Sequence, residues 1–495
     1  MTPDELKKAA KKMNVDISKL DTCVAQGRIR RVTYDGQCYL TLPHIDVMES
    51  QAAHDAIRIL KSNTWKKVPN HIIDKYISIV EQDIGITLHT QQREAVKCMV
   101  NNSLCVITGG PGTGKTCTLS VAVKVIELLH AGVDVRFTAP TGKASGRINE
   151  SLKIETAQTI QRELKIGYNK KDPDVFRGDV LVVDEVSMLD MEIANLLFKS
   201  IPTGSRLILV GDTEQLPSVG YGAVLRDLID SEVIPFVMLT KTFRQAEESA
   251  LMANILKTKV GDNTLINDKD EFEIIDANKD RDKAVDELCD IYMDAVNEYG
   301  IDNVCCLLPF RKSGNLCSNY INSMLQKRIN PLDSKGKRYI KTTLDNKAKV
   351  TYMLGDPVMQ LVNRQECANG DVGKVVFIEG DVMKVDFNGT LVRYYKRELP
   401  EQLSLAYAMS INKSQGSEYK CVIVCMVKEH SIMLTRNMLY TGITRAKKKC
   451  ILYQDKEAIG FAMKQTAMYK DQISGGRMTF LADKLAFAAN RIFVA

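Results

Sequence analysis

The chain has 495 residues, 45% of them hydrophobic and 26% charged, the composition of a soluble globular protein with two to four packed domains. Its 67 Lys and Arg against 61 Asp and Glu leave a net charge of +6, too mild to demand a nucleic-acid partner by itself. No run of 18 apolar residues occurs, so a membrane-spanning helix is not expected.

The first fifteen residues, MTPDELKKAAKKMNV, are charged and lack the apolar core of a secretory signal. The 13 cysteines are scattered, with no CxxC pair and no zinc-type spacing. Those in the apolar run CVIVC, Cys421 and Cys425, read as buried thiols. A reducing, cytoplasmic setting is the expectation. Residues 1–80 carry 13 basic and 9 acidic side chains, which permits a DNA-contacting module there without requiring one.

In chain order, PDELKKAAKKM and SKLDTCVAQG have helical spacing, and RIRRVTYDGQCYLTL alternates around a YDGQ turn. Helix, helix, hairpin is the order of a winged helix. It serves either as a docking module or as a structural cap on the next domain.

From about residue 84 short apolar runs alternate with helical stretches: SLCVITGG, DVRFTAP, DVLVVDE, RLILVGD. This is the rhythm of a parallel sheet flanked by helices, with its chemistry at the C-terminal strand ends. It returns in NVCCLLPF, CVIVCMV and KKCILYQ, so two α/β units are expected. Between them, GDVGKVVFIEGDVMKVDFNGTLVRYY reads as three short strands with an Asn388-Gly389 turn, a small inserted β barrel. YNKKDPDVF, residues 168–176, interrupts the first unit as a short protrusion.

GGPGTGKT, Gly109 to Thr116, lies between an apolar strand and a helical run. It fits the phosphate-binding loop G-x-x-x-x-G-K-[ST], here Gly109, Gly110, Pro111, Gly112, Thr113, Gly114, Lys115 and Thr116. Glycines let backbone N–H groups close around phosphates, Lys115 reaches the β- and γ-phosphates and Thr116 ligates Mg²⁺. Asp184 and Glu185 emerge from the strand VLVV, 69 residues after Lys115. One carboxylate suits the metal, the next the attacking water. Gln215, after the strand LILVG, either senses the γ-phosphate or is a loop amide satisfied locally. Arg244, in LTKTFRQ, either reaches a phosphate or makes a surface ion pair. A second α/β unit without a P-loop suits the closing half of a nucleotide cleft, and it then needs a cation facing the γ-phosphate. LYTGITRAKKKC, residues 439–450, supplies one, Arg445. Lys447, Lys448 and Lys449 read as a solvated basic edge, and Thr444 as a residue that holds the turn.

The ordered motifs TGGPGTGKT, FTAPTGKASGRI, TIQRELK, VVDEVSMLD, GDTEQLPSVG, LTKTFRQ, LAYAMSINKSQGSE and LYTGITRAKK resemble the superfamily 1B DNA helicases, nearest the RecD-like branch, over about residues 84–485. The resemblance implies an α/β fold of two tandem RecA-like P-loop motor domains, residues 84–234 and 235–335 with 401–495. An SH3-like barrel insertion would span 336–400, a winged-helix-like module 1–55, a helical linker 56–83 and a pin 165–177. It implies that Gln92 contacts adenine and that Glu418 lies near the nucleotide sugar. Gln215 and Arg244 become γ-phosphate sensors, and Arg445 an arginine finger. Pro140, Thr141, Gly142, Thr159 and Arg162 on the first domain, with Lys413, Ser414 and Gln415 on the second, become single-strand contacts. ATP and Mg²⁺ are the implied cofactors. The implied partners are single-stranded DNA, single/double-strand junctions and other replication, repair or recombination proteins, with no membrane.

Two positions depart from the family pattern: Gln161 stands in TIQR and Asn412 in SINKSQG where the family has histidine. Each keeps hydrogen bonding and loses the capacity to become cationic. The implied activity is ATP-dependent 5′ to 3′ movement on single-stranded DNA with duplex unwinding. A non-unwinding translocase, an ATP-gated binding module and an RNA track are the alternatives.

Overall fold

The computed structural model describes the chain except residues 1, 14–15, 35, 63, 167–171, 243–248, 333–338, 344–348, 365, 466–478 and 492–495. Arg244 lies outside the described residues, as does most of the 165–177 protrusion's tip. Lys165 and Asp174 pair at 3.0 Å at the base of that protrusion, and Phe176 is buried beside it.

Two parallel sheets form the frame. The first has six strands in the order Gln158–Thr159, Val135–Ala139, Val180–Val183, Arg206–Gly211, Leu104–Gly109 and Phe236–Leu239. Its central strands are apolar on both faces because helices cover both sides, and LCVITG, VLVV and RLILVG are buried at every position. The second has five strands in the order Ala408–Ser410, Val304–Leu308, Tyr419–Met426, Ala446–Gln454 and Phe272–Asp276. Cys421 and Cys425 are buried in it as free thiols.

Between the strands of the second unit lies a five-stranded antiparallel sheet, ordered Thr390–Tyr395, Val382–Phe387, Val372–Glu379, Pro357–Gln360 and Leu403–Leu405. Asn388 (φ 52°) and Gly389 (φ 91°) make a two-residue turn in it, where two successive positive φ values favour Asn-Gly. One core joins this sheet to the second parallel sheet: Val385, Val392 and Tyr394 cluster with Cys306, Ile423 and Tyr453.

The N-terminal order is helix Pro3–Met13, helix Leu20–Ala25 and a hairpin of Arg30–Tyr34 with Gln37–Thr41. The helix Pro43–Leu60 then runs straight through the division expected at 55/56. Its Ala52, Ala56 and Ile57 pack into the core of the first parallel sheet. Phe236–Leu239 likewise lies past the division expected at 234/235, yet completes the first sheet through its pairing with Leu104–Gly109. The C-terminal helix Leu481–Arg491, expected with the second unit, returns to the first, where Leu481 and Leu485 are buried beside Ala52 and Leu228. Lys484 fixes it by ion pairs to Asp46 at 2.7 Å and Glu49 at 3.2 Å. Among the described residues no helix is long and apolar enough to cross a membrane.

Candidate functional site: a nucleotide cleft and an adjoining groove

The P-loop joins the central strand Leu104–Gly109 to the helix Lys115–Leu129. Gly112 and Gly114 take φ of 75° and 78°, which side-chain-bearing residues rarely adopt. A Cβ on Gly109 would come within 2.7 Å of Thr113 Oγ1 and 2.8 Å of the Leu239 carbonyl. Lys115 Nζ donates to the carbonyls of Gly109 at 2.5 Å and Gly110 at 3.0 Å. Thr116 is exposed at the helix start. Gln92 is buried against the loop, donating to the Thr113 carbonyl at 3.3 Å, while its Oε1 accepts from the His89 amide.

Asp184 and Glu185 come directly after the strand Val180–Val183, and Thr116, Arg147, Asp184 and Glu185 line one small cleft. Burial, reinforced by the Glu185 charge, raises Asp184 to about 6 against the opposing pull of Lys115 and Arg147. Glu185 adopts a left-handed backbone (φ 55°). Gln215 is buried beside Asp212 and Ser187, and neither its Oε1 nor Ser187 Oγ has a hydrogen-bond partner among the described residues.

The second unit closes over this edge. Tyr440 donates to Asp212 at 3.0 Å, Asn437 to the Glu214 carbonyl at 2.9 Å, and the Leu216 amide to Thr441 Oγ1 at 2.8 Å. Arg445 is 3% exposed. It donates to the carbonyls of Thr441 and Ser417 and to Thr444 Oγ1, at 3.1, 3.3 and 3.1 Å. Burial pulls its pKa below the ordinary guanidinium value, countered by the nearby Glu185 charge. Glu418 pairs with Arg147 of the first unit at 2.8 Å and Lys447 at 3.3 Å. Burial alone would raise its pKa, but Arg147 and Lys447 hold it below the usual carboxylate range. The basic edge is therefore not simply solvated. Lys447 serves Glu418, and Lys449 is mostly covered and pairs with Glu273 at 2.8 Å. Thr444 holds the turn as expected, donating to the Thr441 carbonyl at 2.9 Å.

A groove runs beside the cleft, where the first unit, the second unit and the antiparallel sheet's loops meet. Pro140, Thr141, Lys413 and Gln415 line it, and so do both departures from the family pattern, Gln161 and Asn412. Lys413 donates to Asn369 Oδ1 at 2.6 Å, and Gln415 to the Leu216 carbonyl at 2.9 Å. Gly142 is at a close approach: a Cβ there would lie 2.3 Å from Ala368 Cβ. Gly142 itself is not among the lining residues, and three further expected contacts stand apart. Thr159 caps the short helix Ile160–Glu163 by accepting from the Arg162 amide, and Arg162 is exposed outside the groove lining. Ser414 is fully buried and donates to the Ile411 carbonyl at 2.7 Å, so its hydroxyl is not presented to a ligand.

A family model described as an AAA domain matches residues 87–282, and one described as a UvrD-like helicase C-terminal domain matches residues 405–453. The chain is 32% identical over 369 residues to the ATP-dependent RecD2 DNA helicase of Deinococcus radiodurans, covering 73% of this chain and 48% of that one. It is 28% identical over 459 residues to the RecBCD enzyme subunit RecD of Haemophilus influenzae, covering 76% and 70%. These matches support a RecD-like helicase. The chain spans about half the length of the Deinococcus relative. A looser likeness, at 17% identity and a TM-score of 0.49, links 75% of it to 94% of a Bacteroides Pif1 helicase chain in complex with ADP-AlF3 and ssDNA.

The two parallel sheets of this RecD-like chain are its RecA-like motor domains. Sequence reasoning missed two cations in the RecD-like motif FTAPTGKASGRI. Lys143 lines the groove and donates to Tyr419 OH at 3.0 Å. Arg147 crosses the cleft to Glu418. Both lie inside a quoted motif, but their partners are more than 270 positions away.

Proposed function

We propose that this chain is an ATP-driven motor that moves 5′ to 3′ on single-stranded DNA and opens duplex at single/double-strand junctions. The carrying observation is convergence. Residues from a P-loop unit and from a unit without one meet in a single cleft, where Arg445 and Glu418 lie in the field of Glu185 and Arg147. Lys115 and Thr116 are read as phosphate and Mg²⁺ residues, Asp184 as a further Mg²⁺ residue and Glu185 as the base that orients water. Gln92 is read as the adenine contact. The donor set fits: a hydroxyl and a carboxylate suit a hard cation, a glycine cradle stands where a Cβ would intrude, and a Gln215 amide oxygen without a partner among the described residues lines the same edge. Bound Mg²⁺ supplies charge neutralisation for the phosphates. The chain's own residues exclude water by domain closure and bring the Arg445 guanidinium to the developing charge. Opening after hydrolysis is a hinge-type cycle.

The groove is read as the single-strand track, with Pro140, Thr141, Lys413 and Gln415 as its contacts and Gln161 and Asn412 as neutral hydrogen-bonding groups. The antiparallel sheet is read as the SH3-like insertion, the N-terminal helices and hairpin as the winged-helix-like module, and 165–177 as a short pin. A motor of this kind has its partners in replication, repair or recombination. ATPase activity should rise with added single-stranded DNA, and a 5′-tailed duplex should be unwound in preference to a 3′-tailed one. Strand-stimulated hydrolysis without unwinding of either would identify a non-unwinding translocase. Hydrolysis indifferent to the strand would identify an ATP-gated binding module.

Lys143 adds a pH dependence. Burial pulls its pKa down to about 8. A strand phosphate favours the charged form, so strand affinity should fall as pH rises from about 7 to 9, with proton uptake on binding near pH 8. Anisotropy titrations should show that slope, and Lys143→Arg should flatten it. The same depression makes folding more favourable as pH rises from about 8 towards 10.5, because only the unfolded lysine then still holds its proton.

A further inference from the structure

Arg147 is neither a nucleotide contact nor a strand contact in the proposed motor, yet its side chain reaches from the first unit to Glu418 of the second. It sits on the helix Gly142–Leu152, which begins at the groove-lining Pro140 and Thr141. Thr141 ties loop to helix by accepting from the Ala144 amide at 3.3 Å. One turn apart on this helix stand two cations with different surroundings. Lys143 faces the groove and Tyr419, whereas Arg147 faces the nucleotide cleft. Both are carried by the one helix Gly142–Leu152, so the two move as one body.

Arg147 Nη2 donates to Glu418 Oε1 at 2.8 Å, and its Nη1 stands 3.7 Å from Glu185 Oε1. The first is a full hydrogen bond to the second motor domain. The second is an ion pair just beyond hydrogen-bond reach, to the residue read as the water-orienting base. A helix displacement of about 0.8 Å closes that gap to an ordinary N–H···O length. Arginine suits the place because its planar fork can serve two carboxylates at once, which an ammonium does less well. Glu185 also has a left-handed backbone (φ 55°), a conformation that persists only where its surroundings hold it.

We propose that Arg147 is a positioning residue that couples strand occupancy of the groove to ATP hydrolysis. A strand pressing on the Pro140–Thr141 loop shifts the helix, and Arg147 then locks the Glu185 carboxylate while tying it to Glu418 across the cleft. This rests on the reading of the groove as the strand track and of Glu185 as the base.

The test is steady-state ATPase of the full chain with and without an oligo-dT strand, alongside strand affinity by anisotropy and a thermal melt. Arg147→Gln should lower the ratio of stimulated to unstimulated kcat by about tenfold or more, the scale of an ordinary coupling between sites. Its strand affinity should stay within about threefold of wild type, since Arg147 is placed off the track. Arg147→Lys, which keeps the charge and loses the fork, should give an intermediate ratio, and it carries the test if Arg147→Gln melts early. A wild-type ratio in both variants overturns the coupling. So does a loss confined to strand affinity, which would make Arg147 a phosphate contact. If the wild-type enzyme is itself indifferent to the strand, the motor reading fails first, a result distinguishable from failure of the coupling alone.

Discussion

Lys115→Ala is expected to remove ATP turnover, with or without a DNA strand, and to weaken nucleotide binding as well. The ammonium sits at the positive end of the helix Lys115–Leu129, in a loop where Gly112 and Gly114 take the left-handed backbone. Its hydrogen bonds to the Gly109 and Gly110 carbonyls hold it over the loop mouth, where phosphate oxygens can replace those carbonyls. Losing one preorganised charge at a developing anion costs about 3–4 kcal/mol, or a hundred- to thousandfold in kcat, and the lost ground-state contact adds to the loss in kcat/KM. The fold should survive, since the side chain is only partly buried and bonds to its own loop. A variant with a normal melting temperature that keeps more than about a tenth of wild-type turnover would exceed what the loss of such a charge allows, and would remove Lys115 from the phosphate site.

What the sequence made readable is local. The P-loop, the carboxylates after VLVV and the Asn388-Gly389 turn each sit within a dozen residues whose chemistry fixes their own conformation, and the structure has them there. The helix Pro43–Leu60 shows the limit. Its periodicity announces an apolar face but not what covers that face, and the cover includes Leu481 and Leu485, more than 400 positions away. A division at 55/56 therefore cuts a helix whose two halves serve one core. The groove behaves the same way. Gln161 and Asn412 stand out in the sequence as separate substitutions, but only the fold brings both to one lining. Ser414 failed as a side-chain contact for the converse reason: a hydroxyl in a tight turn is satisfied by its own turn, here by the Ile411 carbonyl. Arg147 and Lys143 were invisible because a lone basic residue on a helix has no readable partner until the second domain is placed against it.

Arg445→Ala should separate what Lys115→Ala merges. ATP binding, measured with a non-hydrolysable analogue, should persist, while strand-stimulated turnover falls by about a thousandfold or more, the usual worth of an arginine finger. The position demands a guanidinium. Arg445 is almost wholly buried, and its Nε, Nη1 and Nη2 are each anchored to a neighbour within its own domain. Burial works against its charge and the Glu185 field supports it, so a charged fork persists where water is scarce. A cation held in that way is weakly screened and acts strongly on any anion brought against it. Its anchors also give alanine a structural cost, because the Thr441 and Ser417 carbonyls lose donors. Arg445→Lys controls for this. It keeps a charge and some hydrogen bonding but cannot reproduce the planar fork, so it should melt close to wild type and still hydrolyse slowly. If Arg445→Ala instead hydrolyses ATP within about tenfold of wild type while melting lower, the three anchors are the residue's whole purpose. It would then be a staple at the end of the helix Arg436–Ile443, and the cation that meets the γ-phosphate would have to be sought elsewhere in the cleft, with Arg147 first to be tested.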